Sequence, residues 1–197
     1  MWDPQRRWGA VFAAVDGSFD RIFDRYRGRR GPDAVAAALS NLSDYGVVWP
    51  LVAVAKARRP GRRWRTVAAL GAAGTSSWLV NKLLKAVFRR QRPGAVDDAV
   101  GRRPAVRPPT SSSFPSGHTL ASFCTAVVLA DGPGEAAAFL GFASGVAVSR
   151  LHLRAHHATD VLAGAGVGLT LGLVARGALR RCRPLGGPTR APLARRE

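Results

Sequence analysis

Between residues 8 and 26, apolar side chains recur at alternating steps of four and three: Trp8, Phe12, Val15, Phe19, Ile22 and Tyr26. Steps of that size fall on one stripe of a helix. Asp16, Asp20, Arg21, Asp24 and Arg25 then take the rest of the helix surface. The pattern predicts an amphipathic helix lying on a membrane face; packing on a soluble core is the alternative. Asp16 and Asp20 interrupt this apolar stretch, so no cleavable leader is expected.

Downstream the stripe gives way to apolar blocks. Residues 33–56 are long and apolar enough for one crossing, which takes roughly 20 largely apolar residues. Asn41 and Asp44 are costly in lipid and should face the bundle interior. Pro50 should kink this helix. Residues 66–88 make a second span, with Gly71, Ala72, Ala73, Gly74, Ser76 and Ser77 allowing close packing. Residues 117–131 and 135–149 are two apolar helices of about 15 residues each, joined by DGPGE. Residues 158–176 form the last span, with Gly164, Gly166, Gly168 and Gly172 for close packing. A polar loop occupies 89–115. No strand alternation, repeat or second domain is visible. The reading is all-α: an integral membrane helical bundle of about five spans plus an N-terminal amphipathic interfacial helix. Its parts are an amphipathic segment at 1–32, a membrane domain at 33–178 and a disordered basic tail at 179–197.

Charge sharpens this picture. The net charge is +18 while 47% of the residues are hydrophobic. Charge of that sign suits nucleic acid, an anionic membrane or an anionic substrate. The basic residues punctuate the apolar blocks, however, as anchors at helix ends do. A nucleic-acid partner is therefore not expected. Cys124 and Cys182 have no metal-type or framework spacing, so neither a structural metal nor a disulfide is expected.

Three polar clusters carry candidate chemistry: KAVFRRQRP from Lys85, PSGH ending at His118, and SRLHLRAHHATD ending at Asp160. Chain reversal at each span brings all three to one face. Lys85, Arg92 and Arg150 are cations suited to phosphate oxygens. Ser116 and Gly117 offer a hydroxyl and a free N–H at a positive helix end. His156 and Asp160 share a helical face at i, i+4, so the carboxylate can hold one imidazole nitrogen and leave the other nucleophilic. His118 begins a helix as a candidate proton donor. Blander readings serve the neighbours: His152 and Arg154 as interfacial, Lys82 as snorkelling, and Arg89 and Arg90 as headgroup contacts or plain anchors.

These residues resemble the type 2 phosphatidic acid phosphatase superfamily. Its pattern is Lys, six residues, Arg-Pro; then Pro-Ser-Gly-His; then Ser-Arg, five residues, His, three residues, Asp. Every fixed position is matched: Lys85, Arg92, Pro93, Pro115, Ser116, Gly117, His118, Ser149, Arg150, His156 and Asp160. The resemblance covers about residues 34–176. Many membrane members look like six-span proteins, one more than counted here. The resemblance implies a membrane lipid-phosphate phosphatase whose partners are a lipid phosphate and the surrounding lipids, with no cofactor and no metal. It implies that His156 attacks phosphorus, Asp160 orients it and His118 protonates the leaving alkoxide. Lys85, Arg92, Ser116, Gly117 and Arg150 then stabilise the transition state. The early LSNLSDYGVVWP is similar to that of small actinobacterial members, some assigned to decaprenylphosphoryl-phosphoribose. The resemblance favours a catalytic face outside the cell, which the balance of Lys and Arg between the two sides does not decide.

Two other readings share the motif set. A vanadate-dependent haloperoxidase would oxidise halide with added vanadate. A non-catalytic phospholipid-binding or transport protein would need the cations but neither histidine.

Overall fold

A computed structural model describes residues 4–44, 47–93 and 111–181. Seven helices run through them: α1 (Pro4–Asp24), α2 (Arg30–Asp44), α3 (Val48–Ala57), α4 (Arg63–Val87), α5 (Gly117–Leu129), α6 (Pro133–His152) and α7 (Ala158–Arg181). Most of the polar loop and most of the basic tail lie outside the described residues, as do the side chains of Trp8 and Asp44.

The expected single helix over 33–56 is two helices, α2 and α3. Pro50 explains where the second begins. It lies in the first turn of α3, where a missing N–H leaves no intrahelical bond unmade. The break therefore precedes the proline instead of bending a continuous helix around it. Asn41 is exposed, contrary to the inward face expected for it. The second of the two short helices is longer than expected: α6 has 20 residues, about 30 Å of helix. By length and hydropathy, α7 alone among the described helices qualifies as a membrane span, and α3 and α5 are shorter apolar helices.

α5 is the axis of the bundle. Thr119, Leu120, Ser122 and every residue from Cys124 to Leu129 are buried, enclosed by α4, α6 and α7. Small residues let α7 approach it. A Cβ at Gly164 would sit 2.7 Å from the Ser116 carbonyl, and one at Gly172 would sit 2.7 Å from Val127 Cβ. Gly168 meets the Leu120 backbone in the same way. Gly166, also expected at a packing surface, has open space around it. On α4 the close-packing residues are Ala69, Ala73 and Ser77, whereas Gly71 and Gly74 face open space. Trp49 fills the gap between α3 and α6, with its ring edge-to-face on Phe139 at 5.8 Å and Phe142 at 5.6 Å.

α1 follows the expected stripe only in part. Val11, Phe12, Phe19, Ile22 and Tyr26 are exposed, as suits a helix meeting lipid. Asp16, expected on the polar surface, is buried, and Val15 and Phe23 pack on the cluster of Ala147, Leu151, Ala158 and Val161. Arg27 fastens the α1–α2 turn to the end of α6 by donating to the carbonyls of Leu151 (2.7 Å) and His152 (2.9 Å). His152, read from sequence as interfacial, is buried, and its Nε2 lies 2.7 Å from Asp33 Oδ1.

The alternating direction of α4, α5, α6 and α7 sorts the helix ends into two groups. One end holds the C-terminus of α4, the N-terminus of α5, the C-terminus of α6 and the N-terminus of α7. The opposite end carries an ion cluster of Lys56, Arg62, Asp131 and Glu135.

Candidate active site

The turn from α6 to α7 sets the first histidine. The Arg150 carbonyl accepts from the N–H groups of Ala155 (3.0 Å) and His156 (3.3 Å), which curls the turn back over the end of α6. Arg154 takes a positive φ of 53° within it. α7 begins only at Ala158. The turn, and not one continuous helical face, brings His156 and Asp160 together, and the approach expected at i, i+4 is joined by other contacts. Asp160 is the third residue of α7 and caps it: Oδ2 accepts from the His157 N–H at 2.9 Å. The same oxygen accepts from Ser113 Oγ at 2.5 Å, and Oδ1 accepts from Arg90 Nη1 at 2.7 Å.

His156 Nδ1 is 3.8 Å from Asp160 Oδ2, beyond hydrogen-bond range. Its direct partner is the Ser113 carbonyl, at 2.8 Å. A carbonyl can only accept, so Nδ1 carries the proton and Nε2 the lone pair. Asp160 thus holds Ser113 by its hydroxyl, and Ser113 holds the imidazole by its carbonyl. Burial drives the His156 pKa down to about 4; Asp160 opposes the shift, and Arg92 and Arg150 add to it. The ring is neutral at pH 7.

Arg92 Nη1 lies 3.1 Å from His156 Nε2. The guanidinium is buried and fixed by oxygens of Ser111, Ser112 and Ala155. Nη1 donates to the Ala155 carbonyl (2.9 Å), Nε to the Ser111 carbonyl (3.2 Å) and Nη2 to Ser111 Oγ (3.3 Å). Lys85 Nζ donates to the same Ser111 hydroxyl at 3.3 Å. Arg150 is buried and donates from Nη1 to Ser40 Oγ on α2 at 2.5 Å. Neutral oxygens thus hold Lys85 and Arg92, and Arg150 stands in the same wall, so three cations are fixed where an anion would lie.

Lys85, Arg92, Gly117, His118, Arg150 and His156 line one cavity of about 550 Å³. These are six of the eight residues singled out in the sequence. The other two stand behind the wall. Asp160 is fully buried beneath Ser113 and Arg90. Ser116, expected to offer its hydroxyl to phosphate, is also fully buried. Its hydroxyl accepts from Thr119 Oγ1 at 2.9 Å, and its N–H donates to the Asp160 carbonyl at 3.0 Å. Among the described residues no group of three or more His, Cys, Asp or Glu side chains converges on a metal-sized point.

Sequence reasoning missed four supporting residues. Ser113 and Ser40 carry no signal beyond their type. Arg90 could be a lipid anchor as readily as anything else, yet it bridges Asp160 and Asp16, the latter at 2.5 Å. Asp16 in turn accepts from the backbone N–H of Thr159 at 2.9 Å, capping α7 from another helix. Nothing in the sequence separates Asp16 from the other acids of this helix, Asp20 and Asp24.

Residues 65–183 match the PAP2 superfamily. The chain is 34% identical over 164 residues to decaprenylphosphoryl-5-phosphoribose phosphatase of Mycolicibacterium smegmatis, covering 83% of this chain and 84% of that one. The protein of the same name from Mycobacterium tuberculosis is 30% identical over 146 residues, with 74% and 80% covered. Among solved structures, a transmembrane PAP2 type phosphatidylglycerolphosphate phosphatase from Bacillus subtilis superposes with a TM-score of 0.72 at 26% identity, over 90% of both chains. Aquifex aeolicus LpxE shares the fold, with a TM-score of 0.62 at 24% identity over 79% of this chain and 92% of that one.

Proposed function

The chain belongs to the PAP2 superfamily, and from that premise we propose that it is a membrane-embedded phosphatase that hydrolyses a phosphomonoester or diphosphate carried on a lipid or polyprenyl chain. Phosphoric ester hydrolysis is the chemistry of the superfamily, and the named relatives are phosphatases. The exposed apolar side chains along α3, α4 and α7, among them Leu51, Leu79, Leu83, Leu162 and Leu173, suit a multi-pass protein in lipid.

One observation carries the mechanism: a neutral His156 whose Nε2 lone pair meets the cation-lined cavity at Arg92. In the first step the Nε2 lone pair forms the bond to phosphorus as the bond to the leaving oxygen breaks. His118 supplies the proton to that oxygen. In the second step His118 takes a proton from water, the hydroxide attacks phosphorus, and the P–N bond breaks to release inorganic phosphate. Lys85, Arg92 and Arg150 hold the phosphoryl oxygens throughout, together with the Gly117 N–H at the start of α5. Fixed donors of this kind act most strongly where charge accumulates in the transition state. Asp160 works through Ser113, keeping the imidazole in the productive tautomer and stabilising the cation it becomes.

Detergent-purified protein should release phosphate from lipid phosphates in excess chelator, and orthovanadate should inhibit. Brief exposure to radiolabelled substrate should leave an acid-labile label on wild type and none on His156→Ala. Label that persists in His156→Ala, or activity lost to chelator and restored by a divalent ion, would overturn this mechanism.

A further inference from the structure

We propose that Asn81 and Ser77 form a hydroxyl-reading subsite, so that the preferred leaving group is a sugar or other polyol placed between the phosphate and the lipid chain. This rests on the phosphatase reading above and specifies the substrate class for the same cavity.

α4 puts one stripe of side chains into that cavity: Ser77, Asn81 and Lys85, each four residues apart. Their spacing gives depth. At 1.5 Å per residue, Asn81 sits roughly 6 Å, and Ser77 roughly 12 Å, below the level of Lys85. α5 runs beside them and presents His118 and, one turn deeper, Ser122 to the same space. A substrate whose phosphate lies against Lys85, Arg92 and Arg150 must therefore place its next atoms beside Asn81, Ser77 and Ser122. Trp49 and Trp78 line the cavity as well and offer apolar walls.

The polar atoms at this depth are unsatisfied. Asn81 Oδ1 and Ser77 Oγ are buried without a hydrogen-bond partner. A buried polar atom left unpaired is costly, and a bonding partner supplied by a ligand removes that cost. The pair is also accommodated by the motif itself. A Cβ at Gly117 would lie 2.9 Å from Asn81 Nδ2, so the glycine beside His118 is what leaves room for the amide. Nearby α4 positions that face outward, such as Leu79 and Leu83, are apolar. A tail attached directly to the phosphate would set methylenes against Asn81 and Ser77. A leaving group bearing hydroxyls over its first several ångströms would satisfy both once the Asn81 amide and the Ser77 hydroxyl turn toward the cavity that their residues border. The name of the Mycolicibacterium smegmatis relative specifies such a group, a phosphoribose between phosphate and polyprenyl.

The test compares kcat/KM of the full-length protein in detergent on three phosphomonoesters: a polyprenyl-phosphoryl pentose phosphate, a polyprenyl monophosphate with the same tail, and an aryl phosphate. Wild type should favour the pentose substrate over the polyprenyl monophosphate. Asn81→Leu and Ser77→Ala should each shrink that preference at least about tenfold, since a site built to bond a hydroxyl discriminates strongly against its absence. Asn81→Ser, which keeps a hydroxyl, should restore part of it. Ser77→Ala removes a single oxygen and guards against a folding defect in Asn81→Leu. An undiminished preference in both variants, or equal losses on all three substrates, would overturn the subsite. Wild-type turnover without any preference would sink this inference alone; hydrolysis of none of the three would sink the phosphatase reading with it.

Discussion

Replacing Gly164 by alanine tests how tightly the site depends on the contact between α5 and α7. The added Cβ would lie 2.7 Å from the Ser116 carbonyl oxygen, 3.3 Å from Thr119 Cβ and 3.5 Å from the Leu120 nitrogen. A comfortable carbon–oxygen approach is about 3.3–3.6 Å, so the helices must part by roughly 0.6–0.9 Å. The obstacle is backbone, and Ser116 is already tied to the Leu120 N–H at 3.0 Å, so neither atom can swing aside. Overpacking of this kind costs about 1–3 kcal/mol, offset by the 0.5–1 kcal/mol or so that alanine gains over glycine within a helix. The net cost is then at most about 2.5 kcal/mol, and at about 2–4 °C per kcal/mol for a chain of this size the apparent melting temperature should fall by up to roughly 10 °C. Activity should fall further. Ser116 adjoins Gly117 and His118, and a misplacement near 1 Å can cost about a hundredfold in rate; a loss of tenfold or more is expected. Gly166→Ala is the control on the same helix, with nothing within 4 Å of its Cβ. It should match wild type in activity and melt at the same temperature or slightly higher. Size-exclusion chromatography after heating, with phosphate release on the unheated protein, measures both quantities. Equal damage from the two substitutions would refute the packing argument.

Leaving-group dependence separates the histidines: His118→Ala should lose roughly 10²–10⁴-fold on an alkyl phosphate but much less on a nitrophenyl phosphate, whereas His156→Ala should lose both alike. Because burial lowers the His156 pKa to about 4, below the usual 6.5, its protonation favours unfolding. That contribution to stability is complete above about pH 6.5 and is lost as pH falls through about 4, so melting temperature should drop across this window in wild type and drop less in His156→Asn. Asp16→Ala should remove a cap from α7, costing about 0.5–2 kcal/mol, and free Arg90 from its bridge to Asp160. Lower melting temperature together with reduced kcat is expected, and activity equal to wild type would show that α1 does not support the site.

Much of this protein is legible in the chain itself. Long apolar blocks with basic ends can only be satisfied as helices, because each backbone group must be paired within its own segment. Alternating direction then places Lys85, Arg92, Gly117, His118, Arg150 and His156 at one end without further information, and they do line one cavity. Glycines at 164, 168 and 172 repeat every fourth residue, which is enough to mark one face of close approach. The partners of those residues were not legible, because they come from segments far away in sequence. Ser113 stands 43 residues before His156, and Asp16 lies 143 before Thr159. Spacing alone suggested that Asp160 holds His156 directly, as it would within one helix; the turn at 153–157 keeps the two 3.8 Å apart, and the carboxylate makes its hydrogen bonds to Ser113, Arg90 and the His157 N–H. Likewise the stripe on α1 is visible as a periodicity, but periodicity reports only which side is apolar. That Asp16 turns inward to cap α7 was decided by where α7 begins, a matter of tertiary packing, since a buried carboxylate is tolerated only where donors already wait for it.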